Sequence, residues 1–180
     1  MTKEKNSGSV LEIPSIEDKI DDIANYLTSV CKYKIAEVVN DKPWGGFIRL
    51  EDSDAEEFIG EFFSSINYDQ ASLGNHEVKL SPKILVVSPG QRLSWQKHDR
   101  RSELWHFLTN GAYYKSDTDE MGELQYAKAD QEVEFSQGER HRLVSPEDSY
   151  VIVAEIWRHE DANNPSDEDD IVRIQDDYAR

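Results

Sequence analysis

Four side chains of this sequence, Gln96, His98, Glu103 and His141, are of the types and at the spacings that can hold a metal ion. Gln96 and His98 stand two apart in RLSWQKHDRRSELWHFL, so on an extended strand both leave one face and Lys97 leaves the other. The polar run Asp99 to Ser102 reads as a turn, after which Glu103, Trp105 and Phe107 alternate along a return strand with one face shared. Such a hairpin brings Glu103 back beside Gln96 and His98. The best candidate for a fourth ligand is His141, on a short strand after the Gly turn of SQGERHRL. One amide, two imidazoles and one carboxylate make a borderline donor set for one divalent metal ion, with zinc the best match and manganese, iron or nickel the alternatives.

Ligands drawn from such distant stretches need a rigid β scaffold to meet, and the surrounding sequence supplies one. From Lys83 onward the chain breaks into KILVVS, RLSWQ, LWHFL, AYYKS, ELQYA, EVEFS, HRLVS and YVIVAEIW, separated by Gly, Pro, Asp and Asn. Eight short strands in that rhythm predict an antiparallel barrel or jelly roll. FIRLED, after KPWG, predicts a further short strand. Two helices are expected before the barrel. Ile16, Ile20, Ile23, Ala24, Leu27, Val30 and Cys31 form a helical stripe behind Pro14 and a Ser15-x-x-Asp18 start, and this stripe must cover either the barrel wall or a second copy of the chain. Phe58, Ile59, Phe62, Phe63 and Ile66 predict the second helix, near residues 53–66, as a cap on the barrel or a lid over its mouth. Residues 1 to about 13 read as a disordered lead-in. The loop NYDQASLGNHEV and the acidic stretch from Glu160 to Asp170 complete the connections.

The ordered motifs resemble those of cupins, and more narrowly of the type II mannose-6-phosphate isomerases. The first cupin motif is matched by Pro89, Gly90, Leu93, Ser94, Gln96, His98, Arg101, Glu103, Trp105 and Gly111, and the second by Gly138, His141, Arg142, Leu143 and Pro146. KPWG at Lys42 to Gly45 and EDDIVRIQDDYAR at Glu168 to Arg180 resemble the family's opening and closing motifs. The chain departs from the pattern at Arg100 and Leu104, where the family carries His, and at Ser136, Ser145 and Ala179. The resemblance implies a mostly β fold, a cupin double-stranded β-helix or jelly-roll barrel with an N-terminal α-helical extension. Residues 1–41 would be the extension and 42–180 the barrel with its helical insertion.

The reaction implied is the interconversion of an aldose phosphate and a ketose phosphate, mannose 6-phosphate and fructose 6-phosphate in the simplest case. It needs a base, a group to hold the developing oxyanion and an anchor for phosphate. The resemblance suggests Gln96, His98, Glu103 and His141 as metal ligands, Arg101 or Arg142 at the phosphate, Trp105 against the sugar ring, and Glu155 or Lys83 as candidates for the proton-transfer group. Arg173 and Lys42 read as residues that tie the termini to the barrel. Three other readings stay open: a non-catalytic sugar-phosphate-binding cupin, an isomerase of a pentose or heptose phosphate, and an iron-dependent cupin oxygenase.

A formal net charge of -17 over 180 residues disfavours nucleic acid and anionic membrane surfaces as partners. The same field repels a phosphosugar, so the substrate requires a local basic pocket. Lone Cys31 permits no internal disulfide, and no stretch has the length and apolarity of a membrane span, so the expected setting is cytoplasmic, with a homodimer as an option.

Overall fold

The structure, a computed structural model, describes residues 13–178. The lead-in, apart from its last residue, and Ala179–Arg180 of the closing motif lie outside the described residues. Helix α1 (Ile16–Ser29) starts where Ser15 accepts the Asp18 amide at 3.1 Å. Strands β1 (Ile35–Lys42) and β2 (Gly45–Leu50) form a hairpin, followed by helices α2 (Ala55–Phe62) and α3 (Tyr68–Ser72). Then come β3 (Lys83–Val87), β4 (Trp95–Lys97), β5 (Arg101–Phe107), β6 (Gly111–Ser116) and β7 (Gln125–Ala127). The remaining strands are β8 (Glu132–Phe135), β9 (Arg140–Val144), β10 (Val151–His159) and β11 (Val172–Gln175).

The strands make two antiparallel sheets, one in the order β1-β2-β3-β10-β5-β8 and the other β11-β4-β9-β6-β7. Between them lies the interior, filled by Leu85 and Val87 of β3, Trp105 and Phe107 of β5, Phe135 of β8, Val151 and Val153 of β10, and Tyr113 and Leu143 from the facing sheet. The alternate residues Ile84, Val86, Leu104, Ala154 and Ile156 leave the opposite face and are covered by Ile20 and Leu27 of α1, Phe58 and Ile59 of α2 and Ala71 of α3. Because the six-stranded sheet is covered on both faces, KILVV and VIVAEIW are apolar on both faces rather than alternating, except for the buried Lys83 and Glu155.

Both helical stripes, apart from exposed Val30, are therefore spent on the barrel wall within one chain. Helix α2 is a cap on the outside of the sheet and contributes nothing to the cavity described below. Two elements were not expected from the sequence. Strand β1 lies before residue 42 and is the edge strand of the large sheet, so the N-terminal stretch adds a strand as well as a helix. Helix α3 falls within the stretch read as a loop, where Asn67 and Gln70 cap each other's backbone amides at 2.9 Å.

KPWG is the turn of the β1–β2 hairpin, with Lys42 opposite Gly45 and Trp44 buried in the interior. Gly45 has φ +138°, and a Cβ there would lie 2.1 Å from the Val86 carbonyl oxygen. A Cβ on Gly46 would lie 2.0 Å from the Val39 carbonyl oxygen, so the close approach of neighbouring backbones selects glycine at both positions.

Candidate metal centre

At one end of the barrel, His98, Glu103 and His141 converge, all nearly inaccessible to solvent, with candidate ligand atoms within 4.8 Å of one another. His98 follows β4, Glu103 points inward from β5 of the other sheet, and His141 points inward from β9. Glu103 lies between the rings: its Oε1 is 3.0 Å from His98 Nε2 and its Oε2 3.2 Å from His141 Nε2. Gln96 pairs with His141 across β4 and β9 and lines the same cavity, its Oε1 accepting the Ser94 hydroxyl at 2.6 Å. Lys97 leaves the other face and pairs with Asp99, as alternation requires.

The hydrogen bonds of the two rings decide what this group can hold. His98 Nδ1 meets the Asp170 carbonyl, and His141 Nδ1 meets the Glu139 carbonyl at 3.1 Å. A carbonyl only accepts, so each Nδ1 carries the hydrogen, and a ring in its neutral form turns the lone pair of Nε2 toward Glu103. Burial pushes the His141 pKa below its usual value, which keeps that ring neutral. Burial works to raise the Glu103 pKa, but the charge of the Arg101 guanidinium, 2.9 Å from Oε1, works against it, and the carboxyl is held well below the ordinary range. Lone pairs thus face carboxylate oxygens, and both Glu103 Oε2 and His141 Nε2 are buried without a hydrogen-bond partner. Such orphaned acceptors are costly, at about 1–3 kcal/mol each, and a shared cation satisfies both at once. His98, Glu103 and His141 form a buried group able to hold a metal ion, and the donor set fits a divalent one.

Around this group is a cavity of about 180 Å³ whose lining includes Trp44, Phe47, Leu85 and Leu93 on its apolar part and Lys83, Glu155, Glu168 and Arg173 on its polar part. Glu155 projects inward from β10, opposite Lys83 of β3 and Trp105 of β5. Burial, followed by the charge of Glu103, pushes its pKa up to about 7, against the pull of Lys83, Arg101 and the Trp105 indole. Lys83 Nζ lies 2.8 Å from Glu168 Oε2, 4.0 Å from Glu155 Oε1 and 4.7 Å from the centre of the Trp157 ring. Arg173 stands across from Gln96 on β11, exposed, its side chain with no charged or hydrogen-bonding partner among the described residues. Sequence reading took it for a tie to the barrel; its place on the cavity wall comes from the β11–β4 pairing, which no local pattern announces.

Three of the expected substrate and catalytic positions are placed differently from the expectation. Arg101 borders the cavity, but its guanidinium is committed: Nε donates to Glu103 Oε1 at 2.9 Å, and Nη1 reaches Ser166 Oγ and the carbonyls of Asp167 and Asp170 within 3.1 Å. It also stacks on Trp157 at 4.0 Å, so it serves as the counter-charge that orients Glu103. Arg142 follows inward-facing His141 and therefore leaves the outer face, where it pairs with Asp177 at 3.2 Å and donates to the Gln175 carbonyl. Trp105 is fully buried beneath the ligands, against Phe135 and His141, and is absent from the cavity wall. Its indole donates to Glu155 Oε2 at 3.0 Å, holding that carboxyl rather than a sugar.

Comparison with known proteins agrees with this architecture. Residues 67–176 match the family described as mannose-6-phosphate isomerase C-terminal, a span of more than half the chain that includes both ligand segments. No curated protein matches in sequence. Among solved structures, the capsular polysaccharide assembling protein CapF from Staphylococcus aureus aligns at TM-score 0.53 and 13% identity over 91% of this chain and 40% of that one. Another CapF crystal form gives 0.51 over 77% of this chain and 34% of that one, so the chain spans well under half of CapF. A Cupin 2 conserved barrel domain protein from Salinispora arenicola aligns at TM-score 0.44 and 18% identity, over 68% of this chain and 82% of that one. Two facing antiparallel sheets, candidate ligands in the two expected motifs and a family match over residues 67–176 lead to one conclusion: the chain belongs to the mannose-6-phosphate isomerase C-terminal family.

Proposed function

We propose that the chain is a metal-dependent aldose–ketose isomerase of a phosphorylated sugar, with mannose 6-phosphate and fructose 6-phosphate the pair to test first. The observation that carries this reading is the meeting, in one cavity, of Glu103, whose Oε2 and the adjoining His141 Nε2 are buried without a hydrogen-bond partner, with the buried carboxyl of Glu155. His98, Glu103 and His141, with Gln96 beside them, would hold the ion, and zinc suits that donor set. When bound, such a cation supplies Lewis-acid stabilisation of a developing oxyanion.

Within this reading Glu155 removes the proton from C2 of the aldose, the electron pair forms the C1–C2 double bond, and negative charge passes to O1. The proton returns from Glu155 to C1, while the hydroxyl proton of O2 is given up and O1 is protonated, leaving the ketose. A carboxyl with a pKa of about 7 both accepts and releases a proton near neutral pH. Trp105 orients it and Lys83 stands beside it. Arg173, rather than Lys83 already paired with Glu168, supplies the local positive charge that a phosphate needs in a chain of net charge -17, and Trp44 and Phe47 offer apolar surface to the C–H face of a sugar. The lone Cys31 fits a reducing, cytoplasmic setting, and no helix of the described residues is long and apolar enough to cross a membrane.

The test is proton NMR of a phosphosugar panel in deuterated water with zinc-loaded protein and with chelated protein. Deuterium at C1 or C2 that depends on metal and disappears in Glu155→Gln is the expected result. Absence of exchange with every hexose, pentose and heptose phosphate would sink the isomerase reading, and phosphosugar binding without exchange would leave a binding cupin in its place.

A further inference from the structure

Asp170 stands 72 positions after His98, yet it touches three parts of the ligand hairpin at once. Its carbonyl receives His98 Nδ1 and also Arg101 Nη1 at 3.1 Å. Its carboxylate accepts the backbone amides of Asp99 at 2.9 Å and Arg100 at 3.0 Å, the two residues that turn the chain from His98 toward Glu103. That carboxylate also accepts the Ser166 hydroxyl at 2.7 Å and lies 3.6 Å from Arg101 Nη1. One residue thereby fixes the tautomer and orientation of the His98 ring, the turn between His98 and Glu103, and the guanidinium that aims Glu103.

The segment bearing Asp170 is held by its own set of contacts. His159 Nε2 donates to the Lys79 carbonyl at 2.7 Å and its Nδ1 accepts the Ser166 amide at 3.0 Å. Arg100 reaches out to Asp167 at 2.7 Å. Just beyond Asp170, Ile171 and Arg173 become part of the cavity wall. Nothing in this arrangement places Asp170 itself on the cavity, so its role toward the centre is indirect.

We infer that Asp170 is the positioning residue of the metal centre, and that docking of residues 160–175 and metal binding are thermodynamically linked. This rests on reading His98, Glu103 and His141 as ligands. With the segment docked, His98 Nε2 and Glu103 are aimed at a common point; with it displaced, the ring and the turn lose their partners and Arg101 Nη1 loses Ser166 and the two carbonyls. An ion that binds the docked state better must stabilise docking by the same factor that docking improves its affinity. Outer partners of metal ligands are typically worth 10- to 100-fold in affinity.

The experiment measures Zn²⁺ affinity by competition with a chelating indicator, and the visible spectrum of Co²⁺-loaded protein, for wild type, Asp170→Ala, Asp170→Asn and Asp169→Ala. Amide hydrogen exchange over residues 160–175 is followed in wild type with and without Zn²⁺. Asp170→Ala is expected to weaken Zn²⁺ by roughly 10- to 100-fold and to shift the Co²⁺ bands, with a smaller loss for Asp170→Asn, whose side chain keeps one acceptor. Exposed Asp169→Ala should match wild type. Zn²⁺ should slow exchange at Asp170 and Ile171. Wild type that binds Zn²⁺ while Asp170→Ala binds it equally well, with the same Co²⁺ spectrum and no metal effect on exchange, overturns the inference and spares the ligand assignment. Wild type that binds neither ion overturns both. If Asp170→Ala does not fold, the exchange data and Asp170→Asn decide.

Discussion

Replacing Glu155 by Gln should make the metal-free protein more stable above neutral pH, and the size of the gain follows from the carboxyl's surroundings. Glu155 is 6% exposed, and its pKa rises from an ordinary 4.5 to about 7, first through burial and then through the charge of Glu103. A carboxyl whose folded pKa is raised binds its proton more tightly in the native state. Below about pH 4.5 it is neutral in both states and imposes no penalty; as pH rises toward 7 the unfolded chain ionises freely while the native chain resists, and stability is lost. Each pH unit of that gap is worth about 1.4 kcal/mol, so the full loss is on the order of 3 kcal/mol and levels off above pH 7. Gln keeps an acceptor for the Trp105 indole and a similar volume but has no charge to bury. Urea unfolding of both proteins in the presence of chelator, from pH 4.5 to 8.5, yields a difference curve in which other titrating groups largely cancel. Glu155→Gln should gain steadily on wild type through pH 5–7 and hold that lead. A flat difference curve, or a Gln variant that is the less stable protein at pH 8, would refute the account of why this carboxyl is a competent base.

Arg101→Met should lower the stability of chelated protein by about 3–5 kcal/mol in urea, because it leaves the buried Glu103 charge uncompensated, and Zn²⁺ should recover part of the loss by supplying a replacement cation. Zn²⁺ at a hundredfold excess over its dissociation constant should stabilise wild type by about 2.7 kcal/mol, read as a rise of roughly 5–10 °C in Tm, and His141→Ala should lose most of that rise. Gly46→Ala should lower stability by about 3 kcal/mol in the same urea assay, since its Cβ would lie 2.0 Å from a backbone oxygen that cannot move without opening the β1–β2 hairpin.

The strands of the barrel were legible because their residues obey the alternation that burial imposes, and Gln96, His98 and Glu103 were found by that same rule. Applied one residue further, it also reports that Arg142 must leave the face opposite to His141, and that Arg101 must share a face with Glu103. Trp105 has the right parity but sits one step deeper than Glu103, and depth along a barrel axis is invisible to a period of two. Strand β1 escaped notice because its polar-containing IAEVVNDK is an edge with three exposed acidic or basic positions, Glu37, Asp41 and Lys42. Helix α3 did carry a signal, Asn67 with Gln70 three residues later, masked by the Gly and Asn that follow. Asp170 was beyond reach: its meaning lies in contacts about 70 residues away, and locally it is one acid among many.

The ligand group draws Glu103 from the six-stranded sheet and His141 from the five-stranded one, at the rim where the two meet. An ion seated there acts as a rivet through two plates. The aromatic filling farther down the barrel clamps the plates whether or not the rivet is present, so stripping the metal should loosen one lip while the body of the protein stays shut.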